Sequence, residues 1–411
     1  MAKKNAQLPK MELRKWATVQ VKKGQILLTE KDFVNPPSFT EGELVEIIGI
    51  DHEFLGYGYM AKQHKGVGWI LTTDQNADTG LLGDLDFVQA KLQEAKNQRQ
   101  ALLIDDMTTA FRIFNGEGDG IGGFTIDWYA GYALIQWYSE GIYRYKDIIL
   151  EALNNVFPEL KGIVGKNRFN LDGTGSAKQS EVLAGDIPET LTIQENGVNY
   201  IARLDDGWMT GIFLDQRNVR NYIQTEIAPG KSLLNLFSYT GAFSVAAALG
   251  GAAETMSVDV AKRSLQLTQE QFQQEQFKAN GLEIGDQHKV RVMDVFNYLD
   301  YAKTHDLRFD IVVLDPPSFS RTKKHTFQAS KDYRNLVASA LSILNKGGYL
   351  VSSTNAANMT KEDFIKQIGE GSDDARVDIM PVADFGLPVD FPAPKGNPES
   401  DYLKVEIFQK L

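Results

Sequence analysis

The sequence of 411 residues contains no cysteine and only five histidines. It has no apolar run of membrane-spanning length and no G-x-G-x-x-G that opens a helix. Each absence excludes something. Without cysteine there is no disulfide, no thiolate metal site and no thiol nucleophile. Without a long apolar run there is no expected transmembrane helix. The start, MAKKNAQLPK, is charged and lacks an apolar h-region, so no secretory signal is predicted and a cytoplasmic protein is expected. A net charge of −11 and a pI near 5.1 argue against a chain that coats nucleic acid indiscriminately.

The average charge hides two basic patches. Lys3, Lys4, Lys10, Arg14, Lys15, Lys22 and Lys23 face a single Glu12 within residues 1–23. Arg321, Lys323, Lys324, His325, Lys331 and Arg334 cluster against Asp332. Either patch alone reads as solvated surface. The pair, one of them beside a candidate site, points toward RNA.

The length implies two or three domains. Residues 1–75 read as an all-β module, with short apolar runs (ATVQV, ILLTE, ELVEIIGI) separated by Gly and Pro signals. Residues 76–188 read as a mixed α+β module. In it the Gly-rich NGEGDGIGG joins two alternating segments and predicts a tight hairpin loop rather than a phosphate cradle. Residues 189–411 open with a hairpin turning at Asn196-Gly197. They continue as alternating strands (SLLNLFS, TMSVDV, KVRVMDV, DIVVLD, GGYLVSST) and helices. That alternation predicts an α/β, Rossmann-like, doubly wound parallel sheet.

Ligands bind at the carboxyl ends of such strands, near the point where strand order reverses. Here Gly241 opens the first helix, and three following strands end in Asp259, Asp294 and Asp315. Asp259, 18 residues after Gly241, is placed to grip ribose hydroxyls. One glycine leaves little provision for the pyrophosphate of a nicotinamide cofactor. Three acids in register suit a ribose, an adenine and an amino-acid tail, which together describe S-adenosyl-L-methionine. Each acid alone would more often be a helix cap. In LDPPSFS, Asp315 is followed by Pro316 and Pro317, which cannot continue a helix or an inner strand. The turn would hold a carboxylate and carbonyls rigidly above the sheet, where a planar base edge can dock.

TGIFLDQRNVR, LLNLFSYTGAFSVAAA, SVDVAKRSL, VLDPPSFS, GGYLVSSTN and PESDYLKVEIF resemble, over nearly the whole chain, the large-subunit rRNA methyltransferases with an N-terminal PUA domain. The resemblance implies a PUA-like RNA-binding module, a middle module and a catalytic domain. It places Gln216, Arg217 and Arg220 near the cofactor. It lines the methionine side with Asn235, Phe237, Ser238, Thr240 and Gly241. Asp259 goes to the ribose, Asp294 to the adenine, and Asp315, Pro316 and Pro317 to the target base. The implied partner is 23S rRNA or a large-subunit precursor. TTAFRIF and exposed aromatics would also suit a homodimer.

The sequence departs from the cytosine-C5 members, whose wall after the GG strand carries a cysteine that attacks C6. Here that wall reads SSTNAANM, with Asn355 nearest. The combination of DPPSFS and SSTN resembles the guanine-N7 branch, in which an in-plane lone pair needs neither thiol nor base. Asp315 and Asn355 would address the guanine edge and Phe319 would stack on it. The readings left open are an exocyclic-amine or cytosine-C5 methyltransferase and a non-catalytic assembly factor; a dehydrogenase is disfavoured.

Overall fold

The computed structural model describes residues 7–63, 66–169, 179–277, 279–280, 283–321 and 326–411. Lys3, Lys4, Lys323, Lys324 and His325 of the two basic patches lie outside the described residues. The chain divides into two compact units. One comprises residues 1–191, 203–210 and 389–400; the other comprises 192–202, 211–388 and 401–411.

The first unit holds two five-stranded sheets. In one, the strands run in the order Lys10–Glu12, Leu44–Ile48, Phe54–Gln63, Gly66–Thr72, Leu27–Leu28. The run ATVQV, expected as a strand, is a helix, Lys15–Lys22. Ala17, Thr18 and Val21 fall on one helical face and are buried, so packing overrides the β preference of its valines. The second sheet runs Ser180–Gly185, Gly162–Asn167, Tyr132–Trp137, Phe124–Tyr129, Ala110–Phe114. The N-terminal sheet has a buried cluster of its own (Leu13, Val45, Ile47, Met60 and Ile70), and a second cluster crosses residue 75. Tyr59, Trp69 and Leu71 share one buried cluster with Phe111, Phe124 and Trp137.

NGEGDGIGG does join two antiparallel strands, but the loop is long and folded rather than tight. Asp119 accepts from both Nη1 and Nη2 of the buried Arg99, at 2.7 Å each. The apolar residues of TTAFRIF face inward: Phe111, Ile113 and Phe114 are buried, and Asp390 Oδ2 accepts from the Arg112 amide at 2.9 Å. Tyr129 and Trp137 are likewise core residues.

The second unit opens with the expected hairpin, Leu191–Glu195 and Val198–Ala202. Asn196 and Gly197 both have positive φ (49° and 80°), as a two-residue turn matched to strand twist requires. Its main sheet contains β1 (Ser232–Leu236), β2 (Glu254–Asp259), β3 (His288–Val292), β4 (Phe309–Leu314), β5 (Leu344–Thr354), β6 (Ile379–Phe385) and β7 (Lys404–Lys410). They lie in the order β3-β2-β1-β4-β5-β7-β6, with a short hairpin (279–280, 283–284) beyond β3. β3, β2, β1, β4 and β5 are mutually parallel; at the far edge β7 runs antiparallel to β5, and β6 antiparallel to β7. Helices α1 (Ala242–Leu249), α2 (Arg263–Gln274), α3 (Val295–Thr304), α4 (Ala329–Ile343) and α5 (Lys361–Ala375) alternate with them. Strand order reverses between β1 and β4, so the crevice above their carboxyl ends is the place for a ligand.

Candidate active site

The loop after β1 is bent three times into the left-handed region, at Phe237 (φ 58°), Tyr239 (50°) and Gly241 (75°). Non-glycine residues stay there only where neighbours hold them, and such strain collects at functional sites. The holders are visible. Asp259, at the end of β2, accepts from the Tyr239 amide (2.9 Å, Oδ2) and the Ala261 amide (2.8 Å, Oδ1). Thr240 Oγ1 donates to the Gly211 carbonyl at 2.7 Å, and Tyr239 Oη accepts from the Gly211 amide at 3.1 Å. Gly241 is required for a sharper reason than openness to a ligand. Besides its φ, a Cβ there would lie 2.6 Å from Thr268 Cγ2 on α2. Burial raises the Asp259 carboxyl above its ordinary value, and the backbone hydrogen bonds oppose that.

Among the described residues, several polar atoms around this loop have no partner although they are buried: Asn235 Oδ1, Ser238 Oγ and Gln216 Oε1. Asn235 spends its Nδ2 on Ser244 Oγ at 3.2 Å. Orphaned buried acceptors cost folding free energy, and each asks for a ligand donor. An amino-acid tail with an ammonium group supplies such donors. The carboxylate of Asp259, with lone pairs beyond its two backbone bonds, can still take ribose hydroxyls. The residues present therefore fit S-adenosylmethionine.

The second half of the site stands at the end of β4. Asp315 is half-buried, Pro316 buried and Pro317 exposed. Gln216 Nε2 donates to Asp315 Oδ1 at 3.2 Å and to Ser353 Oγ at 2.7 Å, tying the LDQR segment to the ends of β4 and β5. Burial pushes the Asp315 carboxyl up to about 6; a hydrogen bond from Ser353 opposes this and the nearby Asp215 adds to it. Tyr333 on α4 donates to the carbonyls of Ser353 (2.9 Å) and Leu314 (3.3 Å), stapling the two strand ends. Ser318 Oγ donates to Asn355 Oδ1 at 2.7 Å, so the DPPS turn and the SSTN wall form one hydrogen-bonded rim. Phe319 on that rim is 61% exposed.

Other candidates have different employment. Arg220 is buried with Nε and Nη2 on Glu195 (2.6 and 2.7 Å) and Nη2 also on the Phe213 carbonyl (2.6 Å). It anchors the hairpin, and its charge acts on Asp315. Arg217 is buried at the start of the next helix. Asp294 caps α3, accepting from the Phe296 and Asn297 amides at 3.1 and 3.2 Å. The sequence reading missed Ser353, Tyr333 and Asp215. Ser353 lies inside GGYLVSSTN and Asp215 inside TGIFLDQRNVR, whereas nothing in the α4 sequence singles out Tyr333.

Residues 112–393 match the family described as S-adenosylmethionine-dependent methyltransferase, and residues 11–73 match the PUA-like domain. The chain is 45% identical over 404 residues to the "Putative ribosomal RNA large subunit methyltransferase YwbD" of Bacillus subtilis, covering 97% of this chain and 99% of that one. It is 31% identical to the "Ribosomal RNA large subunit methyltransferase I" of Photobacterium profundum, covering 90% of each. Among solved structures, SMU.776, described as "a putative methyltransferase complexed with SAH", superposes with a TM-score of 0.89 at 39% identity, covering 98% of this chain and all of that one.

Proposed function

The chain belongs to the S-adenosylmethionine-dependent methyltransferases, with a PUA-like domain ahead of the catalytic sheet, and from that premise we propose that it methylates large-subunit rRNA at guanine N7. The rRNA part rests on the names of the relatives and on the PUA-like domain. The N7 part rests on one observation: the rim facing the crevice is Asp315, Ser318 and Asn355, in a chain with no cysteine anywhere. A cytosine-C5 reaction needs a thiolate adduct at C6, and this chain has no thiol to form one.

When bound, S-adenosylmethionine supplies an electrophilic methyl group on a sulfonium. The chain's own work is positioning. Asn235, Ser238, Thr240 and Gly241 shape the amino-acid end, with Gln216 and Arg217 near it; Asp259 takes the ribose and Asp294 stands by the adenine. Guanine N7 has an in-plane lone pair and no proton, so no base is required. Asp315 accepts from the guanine edge and offsets the positive charge that grows on the purine. Asn355, oriented by Ser318, completes the polar edge, and Pro316 and Pro317 keep the turn from yielding. Exposed Phe319 offers a stacking face to a base drawn out of its stack. No helix among the described residues is long and apolar enough to cross a membrane.

The test is mass spectrometry of nucleosides from 23S rRNA of cells with and without the gene. Loss of one 7-methylguanosine is expected. Loss of an N-methylated exocyclic amine would move the reaction to a different atom of the base. Loss of 5-methylcytidine would overturn the thiol argument, and no change would remove rRNA as the substrate.

A further inference from the structure

Outside the catalytic sheet, one exposed aromatic is tied at its edge, its backbone and one face. Trp208, in the 203–210 segment of the first unit, is 43% exposed. Exposure alone says little, since single apolar residues on a surface are ordinary. The restraint is what matters. The Arg168 guanidinium lies over one indole face, 4.8 Å from the ring centroid. Arg168 Nη2 also donates to the Trp208 carbonyl at 3.0 Å, and Nε and Nη2 both reach Gln136 Oε1 (3.0 and 2.6 Å), so the guanidinium itself is fixed. With the Gln179 amide turned so that its oxygen faces the ring, that oxygen accepts from Trp208 Nε1 (2.6 Å) and from the Trp208 amide (3.0 Å). A backbone bond from the Arg203 amide to the Thr210 carbonyl (2.8 Å) closes the segment.

Edge, backbone and one face of the indole are therefore committed, while the residue as a whole keeps 43% of its surface exposed. A side chain immobilised in advance loses little entropy when a flat partner lands on it. The hydrogen-bonding edge is spent, so the remaining face discriminates by shape and π-stacking alone. Arg168 carries a permanent charge, and its Nη1 makes no hydrogen bond among the described residues. It remains available to a carbonyl beside the stacked group. Aromatic and guanidinium planes of this kind are what unstacked RNA bases rest on.

We propose that Trp208 and Arg168 form a stacking subsite for a second unpaired nucleobase of the RNA, separate from the base that is methylated. This rests on the reading above that the substrate is RNA. The same loop carries Asp205, bonded to Ser180 Oγ at 2.6 Å, and Asp206. Two acids there disfavour a groove that follows the phosphate backbone. The subsite therefore works by stacking, and its contribution is insensitive to salt.

The experiment uses the full chain and compares wild type with Trp208→Ala and Trp208→Phe on an unmodified 23S rRNA transcript. Stacking of about 1–3 kcal/mol per base corresponds to roughly 5- to 150-fold in affinity. The alanine variant is expected to lose affinity in that range and to raise KM with kcat retained, and phenylalanine should restore most of it. S-adenosylhomocysteine affinity, Tm and the slope of log affinity against log salt should not move. An alanine variant with wild-type KM and RNA affinity overturns the proposal. So does one that loses Tm and S-adenosylhomocysteine binding together with RNA, because the residue is then only structural. Binding of single-stranded oligo(U) by the same proteins separates this from the parent reading. If wild type fails to methylate rRNA yet binds oligo(U) through Trp208, the substrate assignment fails and the subsite stands. If oligo(U) binding is equal in wild type and Trp208→Ala, the subsite fails.

Discussion

The two units each carry a loop bent by positive φ, and the loops differ in one respect. In residues 115–123, Gly116, Gly120 and Gly123 take positive φ, as Phe237, Tyr239 and Gly241 do in the loop after β1. Within the first loop the buried charge is fully answered. Asp119 meets Arg99 through two bonds and also takes the Asn115 amide, while Arg99 reaches the carbonyls of Arg112 and Asp390. Around the second loop, Asn235 Oδ1, Ser238 Oγ and Gln216 Oε1 are buried and unanswered. The charge buried in the first loop has its partners, whereas the second loop keeps the Ser238 hydroxyl buried without one among the described residues. Glycine content alone would single out the first loop; the answered charge there and the unanswered hydroxyl in the second tell the two apart.

The largest expected break in that comparison is at Asp315. Asp315→Ala should cut methyl transfer by about 10²- to 10³-fold, as for loss of a transition-state stabilising group, while S-adenosylhomocysteine affinity changes little. A variant with full activity would remove Asp315 from the reaction. Burial holds this carboxyl at about 6, so in wild type kcat/KM should rise with pH through that value as the carboxylate forms. The sign for stability is opposite. Because the folded pKa is raised, the folded state binds the extra proton, and this contribution is lost as pH climbs from the ordinary carboxylate range through about 6. Asp315→Asn should flatten both profiles.

Next comes the complete loop. Asp119→Ala strands the Arg99 charge in the core and should cost about 3–5 kcal/mol of stability, read as a lower denaturant midpoint. kcat measured well below the new Tm should stay near wild type. A fall in kcat of the size expected for Asp315→Ala would mean that this loop also serves the chemistry.

Smaller again is Asp259→Ala, read by calorimetric titration with S-adenosylhomocysteine. Losing a charged acceptor for ribose hydroxyls is worth about 1.5–3 kcal/mol, or roughly 10- to 150-fold in affinity. Because Asp259 also holds the Tyr239 amide, Asp259→Asn is the control: it keeps an acceptor and should recover part of the loss. Unchanged affinity in both variants would take Asp259 away from the ribose.

Much of this architecture was legible in the sequence because it follows from short-range rules. The Asn196-Gly197 turn, the alternation of β-branched strands with helices, and the acids at strand ends are local patterns. What escaped depends on partners far along the chain. Arg220 looked like a cofactor residue beside LDQR until Glu195, 25 residues away, claimed its guanidinium. Tyr333 is one aromatic in a periodic helix, and its grip on the Ser353 carbonyl exists only after β5 is laid beside β4. The helix at Lys15–Lys22 escaped because its burial pattern, rather than its residue preferences, decides it. Residues 203–210 and 389–400 were expected with the catalytic domain and fold with the first unit instead. No local signal marks a segment that leaves one compact unit for another and returns.

The smallest expected effect is also the sharpest test of the comparison, because two readings differ there in sign. Ser238 Oγ is buried and makes no hydrogen bond, so Ser238→Ala removes a desolvated hydroxyl without breaking any interaction. Stability should be unchanged within about 0.5 kcal/mol or slightly higher. If the hydroxyl is kept for the amino-acid tail of the cofactor, affinity for S-adenosylhomocysteine should fall by about 2- to 10-fold, the value of one neutral hydrogen bond. If it were an ordinary core serine whose partner is water, the change would lower Tm and leave the affinity alone. A loss of affinity together with full stability cannot come from a hydroxyl that serves only the fold.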